Sequence, residues 1–195
     1  MMRKFAIQLV DWQIRRHFLK EQDRELYEYA YELVVNQMVN ILLAALIAIC
    51  FKAPSTVLVF LSCYIPLRSF CGGYHEETNE RCTVMSALML VSICLAVKWI
   101  PQAITSAITF LCFMIAGVVI ICLAPIEDHN KPLDETELLH YRKRGRSIWL
   151  IEITIGIVLF LLGKQGAALV IALSHITLSF MLCLGAEKNK RLKSE

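Results

Sequence analysis

Six continuous runs of apolar residues dominate this chain of 195, at about 33–51, 55–67, 83–99, 104–125, 148–162 and 166–185. They lack the one-sided stripe by which a soluble helix buries a single face. Several approach 20 residues, the length a helix needs to cross a hydrocarbon core of roughly 30 Å. A mean hydropathy of +0.56 with only 19% charged residues does not supply a water-exposed surface. Pro54, Pro66, Pro101, Pro125 and Pro132 fall at or just past run ends, where a helix tolerates them. The expected fold is an all-α polytopic membrane protein of about six transmembrane helices, one domain over residues 1–195.

Residues 1–32 precede the first expected span. Neither Gly nor Pro occurs in residues 1–53, and Ile7, Val10, Ile14 and Phe18 recur at helical spacing beside Trp12. This predicts an amphipathic helix lying in the membrane interface. The apolar stretch from Phe5 to Val10 is short and lacks a small-residue cleavage site, so no cleaved signal is expected.

Lys and Arg set the orientation, because they concentrate on the cytoplasmic side. Across six alternating spans, seventeen fall on the side of the two termini and three on the other (Lys52, Lys98 and Lys164). Both termini are therefore expected in the cytoplasm. The outer connections, around Lys52 to Pro54, Lys98 to Gln102 and Gly163 to Gly166, are too short to carry a site. Chemistry, if there is any, belongs to the inner face.

One inner connection is unusual: Arg68-Ser-Phe-Cys-Gly-Gly-Tyr-His-Glu-Glu-Thr-Asn-Glu-Arg-Cys82, a polar island between apolar runs. The run before it, Pro54 to Leu67, has 14 residues, which cover only about 21 Å of the roughly 30 Å core. Pro66 discourages continuation and Gly72-Gly73 supplies a break. The chain is thus expected to turn at the inner edge, with Arg68 reaching out to water or lipid phosphate. Irregular backbone at that depth needs protein or a wet cavity around it, which implies a recessed pocket.

Of the eight cysteines, Cys50, Cys63, Cys94, Cys112, Cys122 and Cys183 lie in apolar runs and read as small hydrophobes. Cys71 and Cys82 face a reducing cytoplasm and read as free thiols. Cys82 and His75 are seven apart. On one straight helix they stand about 10.5 Å apart along the axis, beyond the roughly 3 Å of a proton transfer. A helix beginning at Thr78 or Asn79 changes this, because it places Cys82 near a helix N-terminus, where N–H groups favour a thiolate. His75 on the preceding loop then folds back as base, with Glu76, Glu77, Asn79 and Glu80 all open as an orienting third member. Two other readings stand beside this Cys–His dyad. One is a purely structural pair. The other is a zinc site of Cys71, His75, Cys82 and His129, whose spacing matches no usual zinc pattern.

Arg68, Gly72-Gly73-Tyr74-His75 and Cys82 together resemble the signature of the accessory gene regulator B (AgrB) family, membrane cysteine peptidases of bacterial quorum sensing. Ala124 to Glu137, "APIEDHNKPLDETE", is similar to that family's second motif. The resemblance covers nearly the whole chain. It implies that His75 is the general base and Cys82 the nucleophile, with Arg68, Gly72 and Gly73 in support. The substrate it implies is a short AgrD-type precursor peptide, cleaved at an acidic C-terminal tail through a Cys82 thioester. The precursor's own cysteine, or a serine in some relatives, then closes a thiolactone or lactone. The resemblance also implies a homodimer in the bacterial cell membrane, with the active site on the cytoplasmic side. No cofactor, metal or nucleic-acid partner is expected beyond the precursor and membrane lipid.

Residues 126–147 hold the largest internal charge cluster. Lys131, Arg142, Lys143 and Arg144 are the candidate contacts for an acidic tail, against the simpler role of anchoring on the inner side. Glu152, about one turn into the fifth run, and His175, midway along the sixth, are intramembrane ionisable groups. Glu152 is expected to snorkel or to pair with Arg146 or Lys188. The alternative to a peptidase is a small transporter or peptide exporter with the island as a gate. Such a protein lines its path with polar groups deep in several spans, and few are present here.

Overall fold

The computed structural model describes residues 2–74, 78–127 and 133–192, and every regular element within them is helical. Helix α1 (Met2–Arg15) is followed by a single 3-10 turn (Glu21–Asp23) and six long helices. These are α2 (Arg24–Cys50), α3 (Pro54–Cys71), α4 (Asn79–Trp99), α5 (Gln102–Leu123), α6 (Glu135–Leu161) and α7 (Gln165–Leu192). The connections α2–α3, α4–α5 and α6–α7 are tight, with Lys52 at φ 51° and Gly163 at φ 76° in the first and last.

Among the described residues, five helices are long and apolar enough to cross a membrane: the 3-10 turn continued by α2, then α3, α4, α5 and α7. Six had been expected, and α6 is the one that falls short. Its apolar part starts only at Ile148, because Arg142, Lys143, Arg144 and Arg146 occupy the turns before. The fourteen residues from Ile148 to Leu161 cover about 21 Å of a core of roughly 30 Å. The first run also differs from expectation. Its helix begins at Arg24, so the predicted N-terminal segment 1–32 divides into α1 and the first turns of α2.

Pro66 does not end α3. The helix runs through it to Cys71, because Leu67 and Cys71 are fully buried against Ala116, Ile120, Leu178 and Leu182. That burial outweighs the one backbone hydrogen bond the proline removes. What stops the helix is Gly72, at φ 71°.

Helix α7 is the hub. Residues 168–175 are buried without interruption, and the helix packs on α5, α3, α6 and α4. Missing side chains let neighbouring helices close on one another. A Cβ on Gly117 would lie 2.8 Å from the Trp149 ring, and one on Gly156 would lie 2.7 Å from Phe113. Hydroxyls inside the helices are satisfied by the turn before, as with Thr109 on the Thr105 carbonyl and Thr154 on the Leu150 carbonyl, 2.8 and 2.7 Å. At the other edge α2 and α4 are joined by Asn79 donating to Glu32 (2.9 Å) and Thr83 to Asn36 (3.2 Å). Helix α1 lies against α2, with Ala6 and Val10 buried and Phe5 and Trp12 exposed. Gln13 bonds Tyr31, and Arg24 bonds Asp11, across that contact.

Candidate active site

The chain leaves α3 in conformations that suit glycine alone: Gly72 at φ 71° and Gly73 at φ 124°. The short extended piece that follows is held on three sides. Gly72 pairs as an isolated parallel bridge with Ile126, whose N–H donates to the Cys71 carbonyl at 3.0 Å. The Tyr74 N–H donates to the Met181 carbonyl of α7 at 2.9 Å. The Arg68 guanidinium donates through Nη1 to the Gly72 carbonyl (2.9 Å) and through Nη2 to the Tyr74 carbonyl.

This corrects the expectation for Arg68, which does not snorkel outward. Its planar fork finds two carbonyls that the turn leaves without helical partners, and those bonds replace the lost solvation. The slot tolerates no side chain. A Cβ on Gly72 would run into the Ile126 carbonyl, and one on Gly73 into the Arg68 guanidinium. On the opposite wall, a Cβ on Gly185 would lie 2.8 Å from Gly73 and Tyr74. Lys188 of α7 caps the slot, with Nζ 5.2 Å from the centre of the Tyr74 ring.

Thr78 is the N-cap of α4, and its hydroxyl accepts from the Arg81 N–H at 3.4 Å. Cys82 follows in the first turn, half-buried, with its N–H on the Thr78 carbonyl at 3.1 Å. The spacing argument had placed Cys82 near a helix start at Thr78 or Asn79, and that holds. His75, Glu76 and Glu77 lie outside the described residues, as do His129 of the zinc reading and Lys131 of the tail contacts. The described neighbours of His75 are therefore the pinned Tyr74 on one side and the Thr78 cap on the other.

Tyr64 was not singled out by the sequence reading. It sits one turn before Arg68 on α3, stacked on Phe60 at 5.2 Å, with its hydroxyl 3.8 Å from the Met89 sulfur. Its only sequence signal was the i, i+4 spacing to Arg68. Cys71 is fully buried with its sulfur against Gly145, where a Cβ would lie 2.9 Å away. It packs there as a small hydrophobe.

The basic turn of α6 runs beside the end of α3, where Tyr141 meets Phe70 at 5.8 Å between ring centres. Lys143 and Arg144 are exposed; Arg142 is half-buried, and its Nε is buried without a partner. Arg146 donates to the Ile121 carbonyl at 3.0 Å. A capping box opens the helix, with Asp134 accepting from the Glu137 N–H at 2.6 Å. That bond, helped by the Thr136 hydroxyl, holds the Asp134 carboxyl below its ordinary pKa. The second motif is also tied to α7, since Asn189 donates to the Glu127 carbonyl at 2.8 Å.

Glu152 pairs neither with Arg146 nor with Lys188. Its Oε2 lies 2.8 Å from Nε2 of His175, and both residues are buried. A hydrogen-bonded partner across the helix interface at that depth is a better match than a long reach to water. The two residues are 23 apart in sequence, so each was visible alone and the pair was not. His175 Nδ1 is buried without a partner. Among the described residues, no three His, Cys, Asp or Glu side chains converge as metal ligands.

Comparison with known proteins places this geometry in context. The family model "Accessory gene regulator B" matches residues 4–182. Two curated proteins of Clostridium perfringens are similar, "Putative AgrB-like protein" of strain SM101 / Type A and "Putative AgrB-like protein 2" of strain 13 / Type A. Each is 23% identical over 130 residues, covering 63% of this chain. The match spans 59% of the length of each relative. No solved structure matches.

Proposed function

Because the chain belongs to the accessory gene regulator B family, we propose that it is a membrane-embedded cysteine peptidase acting on an AgrD-type precursor peptide. The observation that carries this reading is the placement of Cys82. It stands in the first turn of a capped helix, and upstream of that helix the backbone of Gly72–Tyr74 is fixed on three sides. A nucleophile needs such a mount, since geometry held before the substrate arrives removes much of the entropic barrier.

In this mechanism His75 takes the Cys82 proton, and the thiolate adds to the carbonyl joining the signal segment to the acidic tail. The C–N bond breaks. The tail's new amine leaves with the proton from His75, and the signal segment stays on Cys82 as a thioester. The precursor's own cysteine thiol then gives its proton to His75 and attacks that thioester. A cyclic thiolactone leaves, and Cys82 is regenerated. A serine hydroxyl at the same place gives a lactone. The ring closes only if water does not reach the thioester first, which suits a site recessed at the membrane edge. Lys131, Arg142, Lys143 and Arg144 draw the acidic tail, and the exposure of Lys143 and Arg144 supports a contact there. The enzyme works as a homodimer in the bacterial cell membrane, with α6 as a sixth crossing and the site facing the cytoplasm, where the precursor is made.

The export alternative has less support. Among the described residues, Glu152 and His175 bond each other in a buried position instead of lining an open path. The test is a trapped intermediate. A precursor whose ring-forming cysteine is alanine is expected to accumulate as a covalent adduct at Cys82. The adduct should appear on a non-reducing gel and be discharged by hydroxylamine. Cys82→Ala should abolish cleavage while Cys71→Ala keeps most of it. Cleavage that survives Cys82→Ala would remove the peptidase reading.

A further inference from the structure

A cavity of about 210 Å³ opens between α2, α3 and α4. Its walls include Gln37, Asn40, Phe60, Tyr64, Ser86 and Met89. Ser86 and Met89 follow Cys82 at four and seven residues, so all three lie on one face of α4. The cavity therefore begins one turn, about 6 Å along the axis, from the thiol. An apolar cavity of about 150 Å³ holds a benzene ring, so this one has room for an aromatic or branched side chain and the backbone beside it. Two polar features are built into the apolar wall. Among the described residues, the Tyr64 hydroxyl has only the weak Met89 sulfur as partner, and Asn40 Oδ1 is buried with none. The Asn40 amide lines the cavity and can turn about its last torsion, so a polar group entering there can satisfy it.

We propose that this cavity is the specificity pocket for the acyl part of the substrate. It takes a bulky apolar side chain just upstream of the scissile bond, while a peptide group of the substrate bonds the Asn40 side-chain amide. The proposal rests on Cys82 being the nucleophile. It also divides the substrate between two environments: the apolar acyl side enters this cavity, and the acidic tail lies along the basic turn of α6. A lipid acyl chain is the competing occupant. It brings no polar group for the Asn40 amide or the Tyr64 hydroxyl, which is why the peptide is favoured.

The test uses the full chain in phosphatidylcholine vesicles and two thiol probes, iodoacetamide and N-phenethyl-iodoacetamide. The second carries an amide N–H and a phenyl ring at the reach the cavity requires. Labelling of Cys82 is scored against labelling of Cys50, an exposed thiol on α2, so that partition of the apolar probe into the bilayer cancels. The phenethyl probe should raise the Cys82-to-Cys50 ratio about tenfold, the usual discrimination of an apolar pocket. Ser86→Phe, which fills the cavity, should erase that preference while leaving iodoacetamide labelling intact. Asn40→Leu should weaken it several-fold, and decides the matter if the Phe variant does not fold. An equal ratio for both probes in the unaltered chain would overturn the proposal. So would a preference that survives both variants, or one that appears in detergent and vanishes in vesicles, since lipid then fills the cavity. None of these outcomes touches the adduct experiment, so the pocket and the peptidase reading fail separately.

Discussion

At the scale of single residues, Arg68 shows what a sequence hides. Its presence in the motif was legible, but its partners are two backbone carbonyls, and carbonyls carry no residue identity. Two bonds from two nitrogens of one planar group require arginine. Lysine offers a single point of charge. Arg68→Lys is therefore expected to lower precursor cleavage at least tenfold, whereas Ser69→Ala, which loses only a bond from an exposed hydroxyl to the Ile65 carbonyl, should stay near the original rate. Comparable losses in both would mean that the guanidinium is not what fixes the Gly72–Tyr74 segment. Glu152 makes the complementary case. Both members of its pair were noticed, yet a 2.8 Å contact between residues 23 apart depends on helix packing that composition does not encode. Glu152→Leu leaves a buried imidazole without a partner on either nitrogen and should cost about 1–3 kcal/mol. Glu152→Gln keeps the hydrogen bond and should cost less. Thermal unfolding in detergent distinguishes them, and equal stability of the Leu and Gln variants would show the bond to be unimportant.

At the scale of elements, helix starts were easier to read than helix ends. Thr78 was legible as a cap because a hydroxyl acceptor before a charged first turn has a local cause. Pro66 misled for the opposite reason. Its local cost is real, but the burial of Leu67 and Cys71 that overrides it is tertiary. The cap has a chemical consequence, since it orders the turn that carries Cys82. Thr78→Ala removes about 1 kcal/mol of helix-end stability. It is expected to slow iodoacetamide labelling of Cys82 by about fivefold, the change that ~1 kcal/mol converts to. Thr78→Ser should restore the rate, because it keeps the acceptor oxygen. If the serine variant is as slow as the alanine variant, the hydroxyl is not what organises the turn.

At the scale of the whole molecule, the apolar runs made the helical bundle legible but not its arrangement. Every run is greasy, so composition did not mark α7 as the central helix. The clue was the set of small residues along it, Ala168, Ala172 and Gly185, which let neighbouring segments approach. The number of crossings turns on α6, where the charges of the basic turn shorten the apolar stretch to less than a typical span. Two outcomes are distinguishable. If α6 crosses, the seventeen-to-three division of Lys and Arg holds, and Lys164 lies outside while the C-terminus lies inside. If α6 stays at the inner face, Lys164 remains inside, α7 becomes the fifth crossing, and the C-terminus with Lys188, Lys190 and Arg191 is carried outward against the positive-inside bias. Arginines next to a short apolar stretch can extend their side chains to the interface and so lengthen it effectively, and His175 gives the acidic side chain inside that stretch a buried hydrogen-bond partner. Both effects favour six crossings. Reporter fusions at Lys98 and Lys164 should therefore read as external, and fusions at Asn130 and the C-terminus as cytoplasmic. A cytoplasmic reading at Lys164 with an external C-terminus would establish five crossings. An external reading at Asn130 would place the basic turn of α6, and Cys82 with it, on the wrong side for a precursor made inside the cell.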